Sequence, residues 1–268
     1  MIIDSPSIRD IPSLRALWSD SFGDSEEELD KFFSTAFSEK RCLAAKEGDE
    51  LLASLYWFDC SLGERRLAYI YAVSTASAHR GKGICQRLMS MAHEHLRALG
   101  YSAAVLVPAE PSLYGFYERL GYSVCSYVKE LVAISTAEDG EIGESLTPLT
   151  HSEYGELRQK YLPARGIIQD DVTLKMLSAR AKLYCGDGFI LAAEAEGGAL
   201  RCHELLGEAD LNKLLRALGK STGVFRVPTG FRQTTGADST ESKPRPFAMS
   251  YALDGEPLGE CYFGIALD

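Results

Sequence analysis

The chain has 268 residues, of which 46% are hydrophobic and 25% charged, a composition typical of a globular protein with one or two domains and not of a disordered or collagen-like chain. The formal net charge of −10 argues against nucleic acid or an anionic membrane as a partner, because both require clustered lysine and arginine. Apolar stretches are far shorter than the roughly 20 residues that span a bilayer, and no secretory leader is recognisable. Seven cysteines without metal-ligand spacing are expected to be reduced thiols, which predicts a cytoplasmic location.

The first 75 residues predict two helices followed by three strands. Apolar residues recur every three or four positions from Leu14 to Phe22, Gly23 interrupts the pattern, and a second helix continues through Phe33. Segments rich in Leu, Tyr, Val and Ala then alternate with short glycine turns, which predicts antiparallel strands at 41–46, 51–58 and 66–73.

The next segment predicts a second group of elements and a domain boundary. Apolar spacing predicts a helix from Ile84 to Leu99, and Gly100 is placed to end it in a left-handed cap. A strand at 103–107, a helix at 111–120 and a long strand at 122–134 follow. The acidic segment 137–144 has little to bury and predicts a connector. We therefore expect domains at 1–136 and 145–268, the second again mixed α/β and closing with a strand at 261–266.

Arg80–Cys85 has the composition of an anion site between a strand and a helix. Gly81 and Gly83 allow the backbone to approach a ligand closely, and their amides converge with those of the first helical turn. Arg80 and Lys82 add positive charge. A pyrophosphate suits such a concavity, and the alternative is an ordinary glycine-rich turn.

This segment resembles a family signature. Arg80-Gly81-Lys82-Gly83-Ile84 is similar to the R/Q-x-x-G-x-G/A motif of the GNAT superfamily of acyl-CoA N-acyltransferases, with Cys85 in the place of the usual final Gly or Ala. Tyr71–Thr75 resembles the central strand of that family, and Tyr114–Tyr122 resembles its closing F-Y-x-x-x-G-F/Y motif. The match covers about residues 5–134. A Rossmann site is not indicated, because its Gly-x-Gly-x-x-Gly pattern is missing.

The resemblance implies a GNAT fold, which is a mixed, mostly antiparallel sheet flanked by helices, with acetyl-CoA as cosubstrate. In that family the loop grips the pyrophosphate of coenzyme A and the central strand pairs with its pantetheine arm. The cofactor-binding residues implied are Val73, Ser74, Thr75, Arg80, Gly81, Lys82, Gly83, Ile84 and Cys85. The second half has no copy of the motif and loosely resembles the degenerate second GNAT-like domain of enhanced-intracellular-survival-type acetyltransferases. We therefore expect a smaller, degenerate GNAT-like α/β domain there that does not itself bind coenzyme A.

Catalytic residues are implied by the same resemblance. Tyr117 matches the tyrosine general acid of the family, the alternative being a core tyrosine bonded to a carbonyl, and Tyr114 is the reserve candidate. In the survival-type enzymes the terminal carboxylate reaches the active site, so Asp268 becomes a candidate base. The alternative is that residues 264–268 only complete a sheet. His93 and His95 stand two apart on different helix faces, so no metal site is predicted.

The resemblance therefore implies an acetyl-CoA-dependent N-acetyltransferase that acts by direct transfer in a ternary complex. The expected acceptor is a small-molecule amine, and the acidic net charge favours a cationic one. The alternative is a noncatalytic acyl-CoA-binding module that regulates or scaffolds a partner. The oligomeric state is left open.

Overall fold

The computed structural model describes residues 1–135, 143–234 and 239–267, which fall into two compact units. The first unit comprises Met1–Ser123 and Met249–Leu258, and the second comprises Val124–Ala248 and the chain from Gly259 onward. These units differ from the predicted domains in two places. Residues 124–136, predicted in the first domain, belong to the second unit, and residues 249–258, predicted in the second domain, belong to the first unit. The division into domains 1–136 and 145–268 stays a prediction, and most of the predicted connector lies outside the described residues.

The first unit is a mixed sheet with helices, as predicted. Its strands β1 to β4 are antiparallel neighbours, β5 pairs in parallel with β4, and residues 249–252 pair antiparallel with β5. In chain order the elements are β1 (Ile2–Asp4), α1 (Ile11–Phe22), α2 (Glu26–Thr35), β2 (Cys42–Glu47), β3 (Glu50–Leu62), β4 (Arg65–Thr75), α3 (Ile84–Ala98), β5 (Ala103–Leu106) and α4 (Tyr114–Arg119). A 3₁₀ turn at Pro111–Leu113 replaces the start of the predicted helix 111–120.

The second unit repeats part of this topology. Strands β9, β10 and β11 form an antiparallel meander, and β11 pairs in parallel with β12 through the crossover helix α7. The elements from residue 123 are β6 (Ser123–Ile134), β7 (Thr147–Pro148), α5 (His151–Tyr161), β8 (Ile168–Gln169), α6 (Asp171–Ser178), β9 (Lys182–Gly186), β10 (Phe189–Glu196), β11 (Ala199–Gly207), α7 (Leu211–Ala217), β12 (Thr222–Pro228), β13 (Ser239–Glu241) and β14 (Arg245–Ala252). A meander, a crossover helix and a parallel strand follow in the same order in the first unit, as expected for a degenerate second copy.

The C-terminal segment Cys261–Leu267 is buried, but it does not form the predicted strand at 261–266. It makes isolated bridges at Cys261 and Tyr262. Gly264 then takes the left-handed conformation (φ 70°), and the Ile265 amide donates to the Phe263 carbonyl only two residues earlier at 2.8 Å. A turn of this kind is incompatible with a continuing ladder, so the apolar pattern at 261–267 reflects burial and not strand pairing.

A buried ion pair anchors this segment within the second unit. Arg158 binds both carboxylate oxygens of Glu204, at 2.7 and 2.9 Å, and the two side chains are almost completely buried. The Tyr154 hydroxyl donates to the same carboxylate at 3.0 Å. The guanidinium also donates to the Phe263 carbonyl at 3.2 Å, so the pair fixes the C-terminal segment as well as itself. Such a pair stabilises the fold only while both charges remain, since either alone is a buried, uncompensated charge.

Glu204→Gln removes the charge that compensates Arg158 without changing the volume of the side chain. We expect it to lower the free energy of unfolding by about 3–5 kcal/mol, measured by urea denaturation. The matched control is Glu194→Gln on β10, whose carboxylate pairs with His203 and is 25% exposed, and which should cost less than about 1 kcal/mol. A loss no larger than that of the control would show that Arg158 does not depend on Glu204.

Candidate functional site

Strand β4 departs from its parallel neighbour partway along its length. The pairing with β5 covers Leu67, Ala68 and Tyr69, whereas β4 continues to Thr75. Against β3 the register shifts by one residue, and Ala72 takes a positive φ of 47°, which is unusual for a non-glycine residue. The bulge bends the second half of β4, and the predicted ligand-binding residues Val73–Thr75 lie in this part of the strand, beyond the ladder with β5.

The predicted anion loop follows directly on this strand. Gly81 and Gly83 both adopt left-handed backbone conformations, with φ of 77° and 75°, and a Cβ atom added to either would meet no atom within 4 Å. Gly83 is the N-cap of α3 and has no side chain to cap the helix. The amides of the first turn of this 15-residue helix are therefore available to an external acceptor, and the helix dipole favours an anion there.

The loop is tied to the end of β4. The Arg80 Nε atom donates to the Thr75 carbonyl at 3.0 Å, and the Ser77 amide donates to Asp20 at 3.0 Å. The Cys85 thiol hydrogen-bonds the Thr75 side chain, and burial raises the pKa of this thiol to about 11. Cys85 is therefore a neutral group that holds the first turn of α3 against the strand, not a nucleophile.

Tyr117 lies beside this turn with its ring buried and 8% of the residue exposed. Burial, followed by the neighbouring Cys85 sulfur, raises the pKa of the Tyr117 phenol well above its usual value, so it carries a proton throughout the neutral range. Within the part of the chain that the structure describes, its hydroxyl makes no hydrogen bond. The carbonyl partner that the core-tyrosine alternative requires is therefore not found there, and the phenol is able to donate to a ligand.

A stack of rings behind Tyr117 was not predicted. Tyr117 packs edge-on against Tyr122 at 5.7 Å, the Tyr122 hydroxyl lies 2.8 Å from His93 Nε2, and His93 stacks on Tyr251 at 4.0 Å. Burial, assisted by Arg97, lowers the pKa of His93 to about 4, so the imidazole is neutral. The sequence offered one signal that His93 is buried, because it shares a face of α3 with Met89 and Leu96. Its ring partners could not be inferred, because they are distant in the chain.

The acidic residues of α2 have structural partners. Glu26 and Asp30 both pair with Arg15, and Glu27 pairs with Lys31. Glu28 completes the capping box of Ser25 at the start of the helix. None of these carboxylates is therefore placed as a free base. Asp268, the candidate base, lies outside the described residues, and Tyr114, the reserve candidate for the general acid, opens α4.

An aromatic cluster joins α1 and α2 to β3 and β4. Trp18 lies 5.4 Å from Tyr56 and 5.7 Å from Tyr71, and Phe32 lies 6.1 Å from Tyr71. Tyr71 is half-buried and stands next to the bulge at Ala72 on β4. The cluster is buried except at Tyr71, and the contacts that join its rings across the four elements were not predicted.

Two further features of the described residues bear on the predictions. No group of three or more His, Cys, Asp or Glu side chains stands close enough to hold a metal ion in residues 1–135, 143–234 and 239–267. Among the helices of the same ranges, none combines the length and the apolar character that crossing a bilayer requires.

Comparison with known proteins agrees with this geometry. Residues 3–125 match the family model described as an acetyltransferase (GNAT) domain. Among solved structures, a GCN5-related N-acetyltransferase from Anabaena variabilis has a TM-score of 0.74 at 14% identity, covering 94% of this chain and 73% of that one. Another from Kribbella flavida has a TM-score of 0.66 at 17% identity, covering 94% and 71%. Eis1 from Mycobacterium abscessus has a TM-score of 0.67 at 12% identity, covering 95% and 74%. No curated protein sequence matches the chain.

Residues 3–125 therefore match a GNAT acetyltransferase domain, and the solved structures show that the chain has the fold of such proteins. The likeness to the solved structures covers 94% and 95% of the chain and shows that the fold is shared over both halves. The predicted fold class is confirmed, and the family model supports the predicted family over residues 3–125.

Proposed function

We propose that this protein transfers an acetyl group from acetyl-CoA directly to an amine, with both substrates bound at once. The observation that carries the proposal is the uncapped start of α3 at Gly83, immediately after the bent end of β4. An anion-binding helix end and a strand whose one edge extends beyond the ladder with β5 suit the two parts of coenzyme A, the pyrophosphate and the amide-containing pantetheine arm.

The residues present fit that cosubstrate. The backbone from Gly81 to Cys85 would hold the pyrophosphate, because both glycines leave space where a Cβ atom would stand. Lys82 is exposed in the same loop and would add charge, whereas Arg80 is already turned toward Thr75. The backbone of Val73–Thr75 would pair with the pantetheine amides. The thioester supplies an activated acetyl group, and the protein positions it.

Tyr117 would act as the general acid. Amine attack on the thioester carbonyl breaks the carbon–sulfur bond, and the departing thiolate requires a proton. The Tyr117 phenol keeps its proton at neutral pH and lies beside Cys85, in the first turn of the helix that would hold the cosubstrate. The attacking amine must lose a proton in turn. We propose the terminal residue Asp268 as its acceptor, on the family resemblance alone.

The acceptor is proposed to be a small amine that is cationic in solution. The half-buried Tyr71, which packs on the buried Trp18, provides an aromatic group that attracts ammonium groups. The net charge of −10 favours the approach of cations over anions. A panel of amines assayed with acetyl-CoA, read as release of free thiol, tests this proposal. Cosubstrate binding without turnover on any amine would instead support the noncatalytic module.

Gly83→Glu should abolish the anion site. The new carboxylate would occupy the open space before the helix and repel the pyrophosphate, so acetyl-CoA affinity should fall at least tenfold, about 1.4 kcal/mol, by calorimetry. Gly100→Glu is a matched control, because Gly100 has a similar φ of 82°, also has nothing within 4 Å, and follows the opposite end of α3. Equal affinities of the two variants would place the coenzyme elsewhere.

Tyr117→Phe should keep the packing and remove only the proton donor. We expect kcat to fall by roughly 10² to 10⁴ with little change in acetyl-CoA affinity. Because the pKa of Tyr117 is raised, wild-type kcat should show no loss from its ionisation below pH 9. Tyr114→Phe is the comparison variant. A large loss in Tyr114→Phe and none in Tyr117→Phe would transfer the role of general acid to Tyr114.

Two changes at the terminus test the proposed base. Deletion of Asp268 moves the terminal carboxylate by about 3.3 Å, one extended residue, whereas Asp268→Asn removes only the side-chain charge. If the α-carboxylate is the base, the deletion should lose turnover while Asp268→Asn keeps it, with acetyl-CoA binding unchanged in both. Full activity in both variants would exclude Asp268.

A further inference from the structure

The second unit contains two cysteines whose side chains meet where the C-terminal segment joins β6. The Cys261 amide donates to the Cys125 carbonyl at 2.7 Å, and residues 126 and 261 form a bridge. A backbone hydrogen bond of this kind places the two Cα atoms roughly 5–6 Å apart, within the range that a disulfide spans. The two thiols are also in hydrogen-bonding contact.

Cys261 also lines a cavity. This cavity of about 760 Å³ lies wholly within the second unit, and its wall includes Tyr127, Tyr161, Arg165, Phe231 and Cys261. Cys125 is 2% exposed and is not part of the wall. A small reagent that enters the cavity can therefore reach the segment that carries Cys261, and it meets Cys261 before Cys125.

The surroundings favour the thiolate of Cys261. The hydrogen bond with Cys125 lowers the pKa of Cys261, burial opposes this, and the Arg165 guanidinium lowers it further while Glu260 raises it. In contrast, burial raises the pKa of Cys42 and of Cys202 and outweighs the nearby cations and hydrogen bonds that would lower it. Since the thiolate is the reactive form, Cys261 should react faster than these thiols.

We propose that Cys125 and Cys261 form a reversible dithiol–disulfide site, oxidised by small disulfides that enter the cavity of the second unit. The Cys261 thiolate attacks one sulfur of the reagent, whose S–S bond breaks and releases a thiolate. The Cys125 sulfur, after losing its proton, attacks Cys261 and displaces the second thiolate. Two protein thiols are oxidised, one disulfide is reduced to two thiols, and both protons pass to the released thiolates.

The bond would connect the C-terminal segment covalently to β6. In the reduced protein, residues 261–267 are held by backbone bonds, by the Ser126 hydroxyl, which accepts from the Phe263 amide at 3.0 Å, and by Arg158. The disulfide adds a link that survives local opening of these contacts. We expect slower amide hydrogen exchange of residues 262–267 in the oxidised protein.

Peptide mapping tests the site in the intact, folded chain. Trypsin places Cys125 in peptide 120–129 and Cys261 in peptide 233–268, with no other cysteine in either. After incubation with oxidised glutathione at neutral pH and quenching by alkylation, mass spectrometry should find these two peptides linked, and dithiothreitol should separate them. Cys261 should be modified at least tenfold faster than Cys202.

The variants separate the two steps. Cys125→Ser should keep a glutathione adduct on Cys261, and Cys261→Ser should leave Cys125 unmodified. Cys185→Ser, which removes a partly exposed thiol elsewhere in the second unit, should leave the link unchanged. Glutathione adducts on wild-type Cys261 without a linked pair, or a link that appears only in urea, would overturn the proposal. No arm depends on acetyl transfer, so the result is independent of the proposed function.

Discussion

The amides at the start of a helix need hydrogen-bond acceptors from outside the helix, and the two units meet this need in opposite ways. In the first unit Gly83 precedes α3 and provides no side chain. In the second unit Asp210 precedes α7, and its carboxylate accepts from the amides of Asn212 and Lys213 at 3.0 and 3.2 Å. An anion can therefore bind at the first helix, whereas a fixed carboxylate already occupies the second. The residue at the same topological position thus leaves one helix start open to the proposed pyrophosphate and closes the other.

The parallel pairs of strands complete this comparison. The parallel pairs β4–β5 and β11–β12 each extend over three residue pairs. In both units a β-bulge lies nearby, where β4 pairs with its antiparallel neighbour β3 and β11 pairs with its antiparallel neighbour β10. In the first unit the strand beyond the ladder leads into the glycine loop. In the second unit Glu204 stands beyond the ladder on β11, and it binds Arg158 and so holds the C-terminal segment. The same backbone plan thus carries the proposed ligand site in one unit and an internal anchor in the other.

Much of the fold and of the candidate loop could be predicted because the signals are local. The spacing from Ile84 to Leu96 and the glycines at 81 and 83 specify a helix and its start within twenty residues of chain. The contacts that were missed join residues far apart: His93 meets Tyr251, and Arg158 meets Glu204. The wrong strand at 261–266 has a related cause, because burial and strand pairing produce the same apolar pattern, and only the conformation of Gly264 distinguishes them.

The lack of a side chain at Gly264 has a consequence for how relatives of this chain can vary. A Cβ atom there would stand 2.1 Å from a carboxylate oxygen of Glu204 and 2.6 Å from the Tyr262 ring, besides requiring a positive φ. A lineage that keeps the Arg158–Glu204 pair must therefore keep glycine at this position. A lineage that replaces the pair with apolar residues removes the carboxylate oxygen that excludes a side chain, although the backbone preference remains. Positions 158, 204 and 264 should consequently change together across homologous sequences, as a covarying triplet spread over more than 100 residues of chain.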